Sequence, residues 1–336
     1  MPADVVTPSP VARGGLTETK SLTINRAYQL NLSSDGNNAI YYDKATGIFY
    51  KITPDGMTSP LSDKVFYEVE KATWSPQTDK AVLEYPDGSN IVYNFITEQQ
   101  VTLPKHWEDF SFSPNGEQLV FKSIGTTGDN SWIAISSWDG SKATKIEHLG
   151  DKDNTVYTQW SPNNQIVAMY KESKNDFQEY LYFIGKNNED LKSTVLEGRG
   201  FEGKWSEKGD KILYSVYSDG SDLKPTLWIV DAQGNSIGKN RRNLNLQTWS
   251  DKCTFAGNES IYCAVPESLP KAAGVYSDEL DNSPCEIYKI DLNTGFKTKI
   301  AIPQGSHNIE NLTVTKNQKY LYFISKTDGR LYKINL

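Results

Sequence analysis

The sequence predicts an all-β chain folded as a single β-propeller of seven blades, and three observations carry that prediction. A short motif recurs seven times at blade-like intervals, a third strand-like segment follows each copy, and the N-terminus supplies the one strand that the last copy lacks. Aromatic residues make up 12% of the 336, and Gly and Pro punctuate the chain throughout, a balance suited to many short strands joined by tight turns.

The motif is clearest in FSPNGEQLVFKS from Phe112. WSPQTDKAVLEY from Trp74, WSEKGDKILYSV from Trp205, LSSDGNNAIYYD from Leu32 and VTKNQKYLYFIS from Val314 share its layout. WSPNNQIVAMY from Trp160 and FAGNESIYCAV from Phe255 are one residue shorter in the turn. The seven anchors are separated by 42, 38, 48, 45, 50 and 59 residues, near the ~40–50 of a propeller blade. Each copy reads as an apolar strand end, a tight turn and a second short strand, which makes a hairpin. The second strand, such as Leu119-Val120-Phe121, is continuously apolar, as expected where neighbouring sheets cover both of its faces.

A third strand follows in every unit, from GIFYKI at Gly47 to RLYKIN at Arg330, and most units then turn into a more polar outer strand such as KTKIAIP from Lys297. The seventh unit ends at Leu336 after its third strand, while TETKSLTI, Thr17 to Ile24, precedes the first unit unassigned. The reading is that Thr17–Ile24 completes the last blade and closes the ring, so residues 17–336 form one propeller. Residues 1–16, rich in Pro, Gly and small residues without periodicity, read as a flexible linker.

A formal charge of −7 with interspersed signs leaves no basic stripe for phosphates, so nucleic acid is not an expected partner. No stretch approaches the ~18 apolar residues of a membrane span, and a membrane enters this reading only through an anchor upstream of the linker.

With strands a to d counted outward from the axis, the b–c and d–a connections share one face of the ring. The b–c loops there are long in blades three to six: IGTTGDN from Ile124, KESKNDFQ from Lys171, SDGSDLKP from Ser218, and the 20-residue stretch from Pro266 to Cys285. Long loops in a compact domain carry function or disorder, so this face is the expected binding surface. The binding candidates on it are His106, Trp107, Asp153, Arg199, Tyr276 and His307. The three histidines, His148 being the third, come from separate junctions, so each is expected as a loop residue and not as a metal ligand.

Gly234–Gly238 matches G-x-S-x-G, but it joins two strands without the following helix that a nucleophile elbow needs, so Ser236 is not expected to be catalytic. Asp151-Lys152-Asp153-Asn154 opens like a calcium loop but lacks the Gly and closing Glu. No phosphate-cradling or metal-spaced cluster is present, and no cofactor is expected. Pairing Phe255 with Ile261 sets Cys253 opposite Cys263, which admits two readings: a cross-strand disulfide, pointing to an oxidising compartment, or two buried thiols. Cys285 then stays free or pairs with one of them.

The anchors WSP, FSP and WSE, each followed by a polar turn and an apolar strand, resemble the repeat of TolB-type, or WD-like, bacterial propellers over residues 26–336. The Trp-Asp of true WD repeats is not repeated, Trp138-Asp139 standing alone in a turn. The resemblance implies an extracytoplasmic, envelope- or surface-associated module. The expected function is that of a non-catalytic scaffold, a monomer engaging a protein, peptide or glycan. The alternatives are a glycosidase or lyase with its carboxylates or histidines at the ring mouth, or a spacer for oligomerisation.

Overall fold

The computed structural model describes residues 7–150, 152–187, 189 and 191–336. Seven antiparallel sheets follow one another along the chain, and each supplies an inner strand: Ala27–Leu32, Lys71–Trp74, Trp107–Phe112, Val156–Thr158, Arg199–Trp205, Cys253–Ala256 and Ile309–Val314. Blade three has the plain pattern, with Trp107–Phe112, Gln118–Ser123, Trp132–Ser137 and Thr144–His148 in spatial order. The fold is thus the expected seven-bladed propeller.

The recurrent Ser or Thr of the motif acts as a staple inside each hairpin. Ser33, Ser75, Ser113, Ser161, Ser206 and Thr315 are all buried. Each hydroxyl donates to an Asp or Asn of the same turn, at 2.6–2.8 Å. Each also accepts the backbone N–H five residues on, which begins the second strand. One small side chain therefore satisfies the backbone at the turn and sets the register of both strands. Blade six has Gly257 and Asn258 in its turn instead, which explains the shorter motif there.

The core is divided among the seven junctions between neighbouring blades, each holding its own apolar cluster. At the junction of blades two and three, for example, Trp107 stacks on Phe121 with ring centroids 3.8 Å apart, over Val82, Val92 and Leu103. Cys253 and Cys263 sit directly opposite each other in blade six and form a disulfide wholly buried against blade five. Cys285 is free and buried.

Ring closure follows the expectation and adds to it. Lys20–Ser21 pairs antiparallel with Leu331–Asn335 as the outer strand of blade seven. Just before it, Leu16–Thr17 runs parallel to Lys297–Pro303 as a fifth strand on blade six. Within the segment expected as a linker, Ala12 N–H donates to Asn335 and Gly14 N–H to Ile300. The N-terminal segment is thereby a strap over two blades, satisfying edges that would otherwise lie open.

Three measurements test this architecture. A variant lacking residues 1–22 loses several such bonds at ~0.5–1.5 kcal/mol net each, so its melting temperature should fall by several degrees; an unchanged melt would show that the strap contributes nothing. Thiol titration of the denatured, unreduced protein should find one reactive thiol and, after reduction, three. Replacing Cys253 and Cys263 with Ser should cost about 2–3 kcal/mol in denaturant melts, the scale for so short a closed loop.

Candidate functional site

The two ring faces are built differently. On the short-turn face, neighbouring turns are stitched together: Gln77 donates to Pro114 O, Asn163 to Gly209 O, and Lys316 N–H to Gly36 O. The ring opens there into a cavity of about 740 Å³ of mixed polar and apolar lining from all seven blades, with Ser33, Ser75 and Thr315 alongside Trp74, Trp205 and Phe255.

On the long-loop face, the inner strands of blades one, three, five and seven carry β-bulges near their first residues, each with one residue in the left-handed region: Gln29, Asp109, Gly200 and Asn311. An extra residue in a strand bends it and re-aims its side chains. Here the bulges fall beside Glu108, Glu202 and Glu310, at the mouth of the ring.

The 20-residue stretch of blade six is a packed cap. Leu269, Ala273 and Leu280 gather around Trp249, and a single helical turn spans Ser277–Leu280. Ala272 N–H donates to Asp222 O and Gly274 N–H to Leu223 O, so the cap leans on the loop of blade five. A Cβ on Gly274 would meet Leu223 O at 2.8 Å, and only glycine permits this approach. The base is locked by Asp281, whose buried carboxylate meets both Lys252 and Lys326 at 2.9 Å, with Lys252 also donating to Ile309 O.

Beside the cap, the turn Ser250–Lys252 links blades five and seven, with Ser250 Oγ donating to Glu202 O at 2.9 Å. Glu202 is exposed at the mouth but enclosed by the ring walls. That enclosure, together with Asp251 and Asp278, pushes its carboxyl up to about 7. Burial also raises Glu310, against the opposing pull of Lys326 and Lys252. Across the mouth, burial would raise Asp109, but Lys122 at 2.6 Å and Lys71 at 3.6 Å hold it below the usual carboxylate range.

The six candidates from the sequence separate into two groups. Trp107 and His307 are buried at blade junctions and are corrected here from surface to core residues. Trp107 stacks on Phe121 and packs over side chains of blade two, which removes its ring from water. His307 is held by Ser325 Oγ and Gln304 O and packed on Tyr332, and burial lowers its pKa. Of the others, His106, Arg199 and Tyr276 are exposed. Arg199 bonds Asp176 O and lines a hollow of about 280 Å³ with Phe177, Tyr217 and Leu223. Asp153 is half-buried, its carbonyl accepting Lys122 Nζ. Asp151 lies outside the described residues.

Among the described residues, no group of three or more His, Cys, Asp or Glu is arranged to hold a metal ion, and no helix is long and apolar enough to cross a membrane. Ser236 lies in the turn Gly234–Ser236 and donates to Gln233 O. Sequence reasoning placed Phe177 only within the loop KESKNDFQ and missed Glu202, Asp251 and Glu310. Bulges in the inner strands of blades five and seven set Glu202 and Glu310 at the mouth, and the turn Ser250–Lys252 brings Asp251 beside them, none of which leaves a local signal.

Asp281→Ala should destabilise the fold by about 3–5 kcal/mol, because it strands buried Lys252 without its partner; a loss under about 1 kcal/mol in urea melts would contradict the lock. Trp107→Ala should cost a similar ~3–5 kcal/mol through the cavity it leaves. The raised carboxyl of Glu202 contributes stability that is full below its ordinary 4.5 and lost as pH rises through about 7. Glu202→Gln should therefore raise the melting temperature at about pH 8 and have little effect near pH 4.5. Equal effects at both would remove the assignment.

No protein-family model matches the chain, and no curated protein matches it in sequence. Solved structures do. An oligogalacturonate lyase in complex with manganese aligns over 95% of this chain and 93% of its own, at 13% identity and a TM-score of 0.60. The oligogalacturonate lyase of Vibrio parahaemolyticus aligns over 94% and 93%, at 11% and 0.62. The propeller domain of Cps50 (Swd1) from Myceliophteria thermophila aligns over 95% and 99%, at 10% and 0.60. At such identities the likeness is one of fold, shared by proteins of unrelated activity, and the chain is a seven-bladed β-propeller.

Proposed function

We propose that this chain is a non-catalytic binding module that engages a protein, peptide or glycan through its long-loop face. The observation that carries this reading is the distribution of exposed apolar side chains. Of the ten large hydrophobic residues exposed among the described residues, seven lie on that face: Ile24, Tyr28, Val65, Tyr67, Phe177, Val275 and Tyr276. The other three, Met57, Ile96 and Phe296, sit singly in outer turns of the opposite side. Aromatic side chains raised on a rigid scaffold are the usual anchors of a binding surface. The packed cap supports the same reading, since it holds Tyr276 up without requiring the loop to order on binding.

The module acts as a monomer outside the cytoplasm, in the cell envelope or at the surface of a bacterium, with TolB-type propellers as its kin. The Cys253–Cys263 disulfide supports the oxidising compartment, and the Ser-centred repeat supports the kinship. A second reading, a carbohydrate-active enzyme, draws on the raised carboxyl of Glu202, a candidate general acid, with the Asp251 carboxyl acting on it at the same mouth.

A selection of random peptides of about twelve residues against the immobilised chain tests the first reading. Phe177→Ala and Tyr276→Ala should each weaken the selected peptides about tenfold, and Phe296→Ala should leave them unchanged. Peptides indifferent to both face variants would overturn it. In parallel, turnover of a polysaccharide panel that disappears in Glu202→Gln would establish the enzyme instead.

A further inference from the structure

The long-loop face is acidic as well as apolar. Over its junctions, loops and strand ends lie about 27 of the chain's 42 acidic residues but only about 15 of its 35 basic ones, so the remainder of the molecule carries a basic excess. The imbalance is sharpest around the cap, where 265–286 holds five acidic residues and a single lysine, Lys271. Part of this charge is spent internally. Asp281 is buried and neutralised by Lys252 and Lys326, and Asp109 by Lys122 and Lys71. Glu202, Asp251 and Asp278 make no ion pair among the described residues and are exposed, and Glu310 is partly so. They lie on contiguous structure: Glu202 is tied to Ser250, Asp251 follows it, and Lys252 is bonded to Ile309, next to Glu310.

Exposed apolar groups border the same region. Phe177 (61% exposed) stands at the hollow formed with Tyr217 and Leu223, and Leu223 is bonded to Gly274 of the cap. Val275 and Tyr276 (57% exposed) follow directly. The surface therefore runs from Phe177 across the cap to the acidic mouth. Cations lie along it too: Arg199 is held against Asp176 O, Lys326 by Asp281 and Lys174 over the ring of Tyr180, while Lys271 is exposed on the cap.

We infer that the partner bound by this face is a polypeptide segment rich in lysine and arginine, lying across blades four to seven, with its cations at Glu202, Asp251, Asp278 and Glu310 and its aliphatic stems on Phe177, Val275 and Tyr276. The inference rests on the reading of the long-loop face as a binding surface and specifies the chemistry of its occupant. Long cationic side chains suit both halves of the surface. The alkyl stem covers an aromatic ring, while the charged end reaches a carboxylate or the ring face. An acidic segment would meet uncompensated like charge, and a neutral glycan would leave the carboxylates unused.

Fluorescence anisotropy with the intact protein at about pH 8, above the raised value of the Glu202 carboxyl, tests this, using labelled peptides of about twelve residues that alternate Leu with Lys, with Glu or with Gln. The Lys peptide should bind at least about tenfold tighter than the other two, and weaken severalfold between about 50 mM and 300 mM salt. Glu202→Gln combined with Glu310→Gln should reduce its affinity about fivefold or more, as should Phe177→Ala combined with Tyr276→Ala. Phe296→Ala, on the opposite side, should not. Thermal melts of each variant establish that it is folded. Gln or Glu peptides that bind as tightly as the Lys peptide, yet lose affinity in the Phe177/Tyr276 variant, overturn the basic partner and leave the face reading standing. Affinities indifferent to both sets of substitutions overturn the two together.

Discussion

A four-stranded sheet of this chain cannot bury either of its faces alone, and every other feature of the molecule follows from that constraint. Each middle strand is apolar on both sides, and only a neighbouring blade on each side removes both from water. The apolar clusters accordingly lie between blades and not within them. Such an arrangement has no stable end until the seventh blade meets the first. The cluster joining Ala27, Tyr41 and Ile52 to Tyr322, Ile324 and Leu331 is that meeting, and the strap formed by residues 9–21 ties blade six to blade seven next to it.

The buried hydroxyl in the first hairpin of most blades gives this constraint its local form. A Ser or Thr that both donates into the turn and accepts from the next strand leaves little freedom of register, so adjacent sheets present matching apolar rows. It also keeps these turns short, and several are bonded to their neighbours round the ring. Variation is thereby pushed to the opposite face, where the connections have no such staple. This division of labour accounts for the position of the long loops, the bulges and the cap on one side.

On that side the cap converts a long excursion into fixed structure. Its own small cluster around Trp249 is modest, but the Asp281 carboxylate between Lys252 and Lys326 ties it to blades six and seven, and Gly274 lets it rest on blade five. Carboxylates not consumed in this way are left facing the mouth of the ring, where the walls limit their hydration and Glu202 resists ionisation. Exposed apolar side chains and uncompensated acidity on a rigid support are properties of a surface for recognition, and the opposite face lacks that combination.

The sequence by itself determined the blade count, the hairpin positions, the closing strand and the Cys253–Cys263 register, because each depends on local turn chemistry or on residue spacing along one hairpin. Which face carries the long loops was legible for the same reason. What only the tertiary structure decided is where side chains at the junctions point. Trp107 and His307 occupy positions comparable to exposed His106 and Arg199, but Trp107 is covered by side chains of blade two and His307 by Ser325, Phe323 and Tyr332 of blade seven, while the second pair stays in water. The parallel fifth strand on blade six, the lock at Asp281 and the gathering of Glu202, Asp251, Asp278 and Glu310 likewise join residues tens to hundreds of positions apart. No periodicity encodes such meetings, since they arise from stacking separate sheets around a common axis.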